Sequence, residues 1–269
     1  MRISHTLMLG IIVIGLLSIA DAEADSIKTQ LEVSRRHSEW VKVTTSDERI
    51  VNAFIVYPAV KEPATAIIVI HQGRGLTNWI QLVADTLAAE GFVAICPDLL
   101  SGMGPGGGGT ESFDARDDVP WAISELPPAQ VTSDLDAIEK YVRNLPSTNE
   151  KVAVSGFCWG GGQTFSYAVH STTIAASFVF YGPAPSTEDI PKISAPVYGF
   201  YAENDNRINA TIDATKAAAD AANITYEPII YEGVGHAFLM RGMAEDANEA
   251  QKTATKAVWK RWVSLLREL

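Results

Sequence analysis

Gly156-Phe157-Cys158-Trp159-Gly160-Gly161-Gly162 is the stretch that decides the fold of this chain. It follows the apolar run Val152-Ala153-Val154, which reads as a buried strand, and Gln163 to Val169 can continue beyond it as a helix. The seven residues therefore read as a strand end, a sharp turn presenting one cysteine, and a helix start. A residue at the tip of such a turn holds strained backbone, and strand and helix then approach so closely that small residues are needed on both sides. Glycine-flanked cysteines arise easily by chance, so the weight of the motif comes from partners further along the chain.

A nucleophile presented this way needs a base and an acid that orients the base, and in this kind of elbow they come later in the chain, acid first and histidine second. The apolar run Val197-Tyr198-Gly199-Phe200-Tyr201 reads as a strand that ends in Ala202-Glu203-Asn204-Asp205-Asn206-Arg207. Glu227 to Tyr231 reads as another, ending in Glu232-Gly233-Val234-Gly235-His236-Ala237-Phe238. Of the five histidines, only His236 follows Asp205. The set predicted is Cys158, Asp205 and His236, with Glu203 at the wrong offset. The plain alternatives are a core cysteine, a turn carboxylate and a structural loop histidine; the first would leave the glycine pattern unexplained.

The remaining periodicity predicts a mostly parallel sheet with helices on both faces. Trp40 to Thr45 and Ile50 to Tyr57 read as two antiparallel strands. Ala64 to His71 and Phe92 to Cys96 are continuous apolar runs, expected of central strands buried on both faces. Trp79 to Glu90, stopped by Gly91, and Thr132 to Leu145, with Ser133 and Asp134 near its start and Pro146 past its end, read as helices. Ala176 to Tyr181 adds a strand, Ile212 to Ala222 a helix, and Glu245 to Leu266 a long terminal helix. Strands alternating with helices place a site at the carboxyl ends of the strands. Residues 101–130 are the least regular part and read as a lid or surface loop, with Phe113, Arg116 and Trp121 available to line a pocket. The glycine run Met103 to Thr110 lacks the Gly-Lys-Ser/Thr ending of a phosphate loop.

Four motifs in this order resemble the dienelactone hydrolase family of α/β-hydrolases: Ser155 to Gly162, Ala202 to Ile208, Gly233 to Phe238, and Ile67-Ile-Val-Ile-His-Gln-Gly-Arg-Gly-Leu76 followed by Gly91 to Leu99. The resemblance covers about residues 40 to 266 and implies the α/β-hydrolase fold, with Cys158, Asp205 and His236 as a Cys-Asp-His triad. It also marks one departure: Gln72 stands where members of the family carry a glutamate that interacts with the resting cysteine. An amide cannot accept the thiol proton near neutral pH, so direct ion pairing of Cys158 with His236 is the simpler expectation. The chemistry expected is acyl transfer to sulfur, with an oxyanion hole made by the backbone N–H of Trp159 and one from Gln72 or Gly73. Arg74 and Arg241 are candidates for a substrate carboxylate, although either reads equally as a solvated surface residue. Trp79, Trp159 and Phe238 are candidate pocket walls, with core packing an equal reading.

The expected activity is hydrolysis of small esters or lactones of the dienelactone type, with no cofactor implied. Alternatives are a carboxylesterase without lactone preference and a non-catalytic small-molecule binding protein on the same fold. A thiol redox protein would want a Cys-x-x-Cys pair, which is absent, and His71 has no second ligand at metal-binding spacing. The chain has 269 residues, no internal repeat and no linker, as expected for one domain over residues 23–269. Arg2, the apolar stretch Leu7 to Ile19 and Ala20-Asp21-Ala22 read as a signal peptide cleaved near Ala22, hence export to a bacterial periplasm and no membrane attachment afterwards. A net charge of −11 argues against nucleic acid or an anionic membrane surface as partner. Export raises the question of a Cys96–Cys158 disulfide, which would silence the nucleophile; Cys96, at a strand end, reads instead as a small buried apolar residue.

Overall fold

The computed structural model describes residues 27–114 and 118–269; the expected leader and Arg116 lie outside them. Eight strands form one sheet in the order β1-β2-β4-β3-β5-β6-β7-β8. These are β1 (Ser38–Thr44), β2 (Ile50–Val56), β3 (Ala64–Ile70), β4 (Val93–Pro97), β5 (Thr148–Phe157), β6 (Ala176–Phe180), β7 (Val197–Asn204) and β8 (Tyr226–Gly235). The first two pair antiparallel, as the sequence predicts, and β2 joins β4 antiparallel. From β4 through β8 every neighbouring pair is parallel.

Why the central runs are apolar throughout is visible in β3. All seven of its residues are buried. Ile68 and Ile70 point into the core on one face, while Ile67 and Val69 point into the core on the other. A strand with period-2 alternation and a helix layer on each face must be hydrophobic at every position. Burying those four side chains contributes about 1.5–3 kcal/mol each. One face is covered by α1 (Asn78–Ala89) and α8 (Glu249–Arg267), the other by α3 (Pro128–Arg143) and α4 (Trp159–His170).

Three boundaries differ from the sequence reading. Helix α3 starts at Pro128, four residues before Thr132, because proline is suited to the first helical turn, where its missing N–H would be unused. Asp134 consequently sits inside the helix, fully buried, 3.2 Å from the Arg49 guanidinium. Burial raises its carboxyl to about 6 against the pull of Arg49. Helix α8 starts at Glu249, where Asn248 and Gln251 form a reciprocal capping box. Within residues 101–130 the chain is partly regular: turns at Pro105–Gly107 and Thr110–Ser112 precede α2 (Asp118–Ser124). Thr110 is fastened to Asp98 through both its N–H and its hydroxyl, each at 2.7 Å. Phe113 packs against the core, and Trp121 is exposed.

Candidate active site

Strand β5 ends at Phe157, and α4 begins at Trp159, so Cys158 alone makes the turn. Its φ of 55° and ψ of −114° lie in a region L-residues avoid. Such strain is worth about 1–3 kcal/mol and persists only where the surroundings impose it. Two glycines explain how. A Cβ on Gly156 would lie 2.6 Å from Thr164 Oγ1 and closer still to the Gly160 carbonyl. A Cβ on Gly160 would lie 2.7 Å from the Ile70 carbonyl oxygen and closer still to that of His71. The Cys158 N–H donates to Phe180 O at 3.0 Å and fastens the turn to the end of β6.

Asp205 follows β7 and is buried. Its carbonyl accepts from the N–H groups of Ile208 and Asn209, at 3.1 and 2.9 Å, which anchors the short helix α5 (Asn206–Asn209). His236 follows β8, and its Nδ1 lies 2.5 Å from Asp205 Oδ2. The ring and the Cys158 thiol also act on each other, the imidazole lowering the thiol and the thiol raising the imidazole. Glu203 is exposed and accepts from the Gly233 N–H at 2.8 Å, tying β7 to the β8 end and not to the imidazole.

The electrostatics favour an ion pair. Burial alone would push the Cys158 thiol up. The His236 hydrogen bond and charge, the Trp159 N–H and the Arg207 charge together outweigh it and hold the thiol below its ordinary value. The hydrogen bond with Cys158 raises the His236 imidazole; burial opposes it, and Asp205 adds to the rise. A lowered thiol keeps its negative charge to lower pH, and a raised imidazole keeps its proton to higher pH. Both shifts move the two groups toward a thiolate–imidazolium pair, which is lost on the acid side as sulfur gains a proton and on the alkaline side as the ring loses one. Iodoacetamide is expected to alkylate Cys158 at pH values where an ordinary thiol, titrating at about 8.5, is unreactive. In His236→Ala the rise in alkylation rate should move to alkaline pH, because burial is then opposed only by the Trp159 N–H and the Arg207 charge. A pH–rate profile of the parent that matches free cysteine would contradict this arrangement.

The loop after β3 lies beside the elbow. Gln72 is buried, but its side-chain amide donates to Met240 Sδ at 3.4 Å. Gly73 N–H donates to no atom among the described residues. Arg74 is exposed, as is Arg241, which directly follows Met240. Two of the three aromatic candidates are buried. Trp79 packs edge-on against Phe157 at 4.9 Å, and Phe238 is fully buried between Tyr181 and Tyr231. Both belong to the core cluster on one face of the sheet, one of the two readings the sequence left equal. Trp159 is half-buried and stacks on His71 at 5.5 Å. Cys96 and Cys158 are both free thiols, and Cys96 is fully buried beneath α1.

Two residues absent from the sequence reading sit at the site. Arg207, two positions beyond Asp205, is exposed and unpaired among the described residues, and its charge acts on Cys158. Tyr181 follows β6 with φ 40°; it is fully buried, its hydroxyl has no partner among the described residues, and its ring meets His236 edge-on at 5.1 Å. The rule that site residues follow parallel strands points to Tyr181, whereas Arg207 is, by sequence, merely one more cation in a polar loop.

An eight-stranded, mostly parallel sheet with its polar residues gathered after β3, β5, β6, β7 and β8 and a cysteine at a strand–helix elbow is an α/β-hydrolase. The dienelactone hydrolase family profile matches residues 51–269, and the chain belongs to that family. A Methylorubrum extorquens protein named "Putative carboxymethylenebutenolidase" is 32% identical over 210 residues, 74% of this chain and 71% of its own. One of the same name from Escherichia coli K12 is 29% identical, over 73% of this chain and 80% of its own. In structure, a dienelactone hydrolase of provisional assignment from Klebsiella pneumoniae superposes with a TM-score of 0.76 at 24% identity, covering 87% of this chain and 99% of the other.

Proposed function

We propose that this hydrolase cleaves small carboxylic esters or lactones, carboxymethylenebutenolides among them, through a thioester on Cys158. The observation that carries the reading is the placing of Cys158, Asp205 and His236 at three strand ends, with His236 Nδ1 2.5 Å from Asp205 Oδ2 and the imidazole and thiol shifted toward each other's charge. The Cys158 thiolate attacks the acyl carbon, and the developing oxyanion takes hydrogen bonds from the N–H of Trp159 and of Gly73, each worth about 3–4 kcal/mol in the transition state. Imidazolium His236 delivers its proton to the leaving alkoxide, which for a lactone stays tethered to the acyl group. Neutral His236 then takes a proton from water as that water attacks the thioester, and Asp205 holds the ring and its charge throughout. Arg74 and Arg241 flank the Gln72–Met240 contact, and with Arg207 they supply positive charge for a substrate carboxylate.

The test is turnover of a dienelactone and of p-nitrophenyl acetate by the purified protein, with a quenched sample examined for an acyl adduct on Cys158. Dienelactone turnover with that adduct supports the reading. Turnover of p-nitrophenyl acetate alone favours a carboxylesterase without lactone preference, and binding without turnover of either ester sinks catalysis. Gln72→Ala should change kcat by less than about tenfold, because the amide faces Met240 and only an N–H to thioether contact, below about 1.4 kcal/mol, is lost. A larger loss would mean that Gln72 acts on the cysteine directly. The reading of residues 1–22 as a leader supports a mature single domain from residue 23 exported to the periplasm; N-terminal sequencing of the protein recovered from that fraction tests it.

A further inference from the structure

His71 lies beside the elbow and Thr110 against the end of the loop that begins at His71, and the mechanism above gives neither a role. His71 is fully buried. Its Nε2 meets the Leu99 N–H at 3.3 Å and so must present a lone pair there. The proton is therefore on Nδ1, which donates to the Gln72 carbonyl at 2.8 Å. That carbonyl shares a planar trans peptide with the Gly73 N–H, and in such a unit the two point in opposite directions. Holding the carbonyl down onto the buried ring thus turns the Gly73 N–H the other way, where it has no partner in the chain among the described residues. The same carbonyl also accepts from the Gly75 N–H at 3.1 Å, and ring and turn together oppose a flip at a glycine with open space around its Cα, which would aim a carbonyl where a donor is needed.

The other end of the loop is fixed from the same platform. Asp98, at the end of β4, accepts from the Thr110 N–H and hydroxyl, and the Thr110 hydroxyl oxygen accepts from the Leu76 N–H at 3.0 Å. Leu99, next in the chain, supplies the N–H that fixes the His71 tautomer. We propose that His71 and Thr110 are positioning residues that clamp the 71–76 loop at both ends and keep the Gly73 N–H directed at the oxyanion. This rests on the reading that the Gly73 N–H serves that oxyanion.

The experiment compares His71→Asn, whose side-chain amide can keep the Nδ1 hydrogen bond, with His71→Gln, which cannot. Hydrolysis of p-nitrophenyl acetate and the rate of Cys158 alkylation are measured on each. His71→Gln should lose kcat by about tenfold to a hundredfold, the effect of weakening one oxyanion donor, with KM within about twofold and alkylation unchanged, since alkylation forms no oxyanion. His71→Asn should recover most of the loss. Unchanged kcat in His71→Gln, or alkylation falling together with kcat, overturns the clamp. If both His71 variants fail to fold, Thr110→Val against Thr110→Ser decides by the same readouts, Ser keeping the hydroxyl. Hydrolysis that survives Cys158→Ala would instead overturn the underlying acyl-transfer reading, whatever the His71 variants do.

Discussion

Cys158→Ala should abolish hydrolysis of p-nitrophenyl acetate while the protein still folds. Removing the nucleophile of such a constellation lowers kcat by on the order of 10⁶-fold, because base and acid have nothing left to activate. Asp205→Asn should lose about 10⁴-fold, since the amide no longer holds His236 in the required tautomer. Stability should move the other way at the elbow. Cys158 occupies φ 55° and ψ −114°, a conformation that alanine finds as strained as cysteine and glycine does not. Cys158→Gly should therefore melt above Cys158→Ala by about 2–4 °C, corresponding to about 1 kcal/mol in a domain of this size. Measured kcat and melting temperature of the three variants check both statements. Cys158→Ala activity above a few per cent of the parent would remove the thioester from the mechanism.

How much of the site is legible in the sequence depends on the range of the interactions involved. The elbow, the Asp205 loop and the His236 loop are each short, and each announces itself by glycine or polar residues directly after an apolar run. Their order alone predicts that the three residues meet. The burial of β3 on both faces is equally local. The features that sequence leaves open depend on distant partners. Trp79 and Phe238 read equally as wall or core residues, because the neighbours they pack on, Phe157, Tyr181 and Tyr231, come from other strand ends. Nothing near Thr110 in a glycine-rich stretch tells that its hydroxyl is held by Asp98 and meets Leu76, 34 residues away. Asp134 reads as one polar residue near a helix start, and only Arg49 in the fold makes it a buried ion-pair member.

Gly160→Ala should be both a strongly destabilising substitution and a strongly inactivating one. By helix propensity alone the change should help, since alanine exceeds glycine by about 0.8–1 kcal/mol inside a helix. Geometry decides against propensity. The added methyl would stand 2.7 Å from Ile70 O and nearer to His71 O, both backbone atoms that cannot rotate aside. Overpacking of side chains already costs about 1–3 kcal/mol, and here the strand end or the helix must shift instead, so the loss should reach the upper end of that range. The shift also separates the 71–73 backbone from Cys158, and a misplacement of about 1 Å in such a site lowers the rate by on the order of 10²-fold. Two neighbours serve as controls. A methyl at Gly73 meets nothing within 4 Å, and one at Gly162 meets only Pro183, no nearer than 3.0 Å. Gly73→Ala should melt within about 1 °C of the parent, on the scale of surface substitutions within about 0.5 kcal/mol, and Gly162→Ala should fall between it and Gly160→Ala. If Gly160→Ala instead melts at or above the parent with kcat intact, the close approach of helix and loop is not what the elbow glycines provide, and the clamp on the 71–76 loop loses the surface it works against.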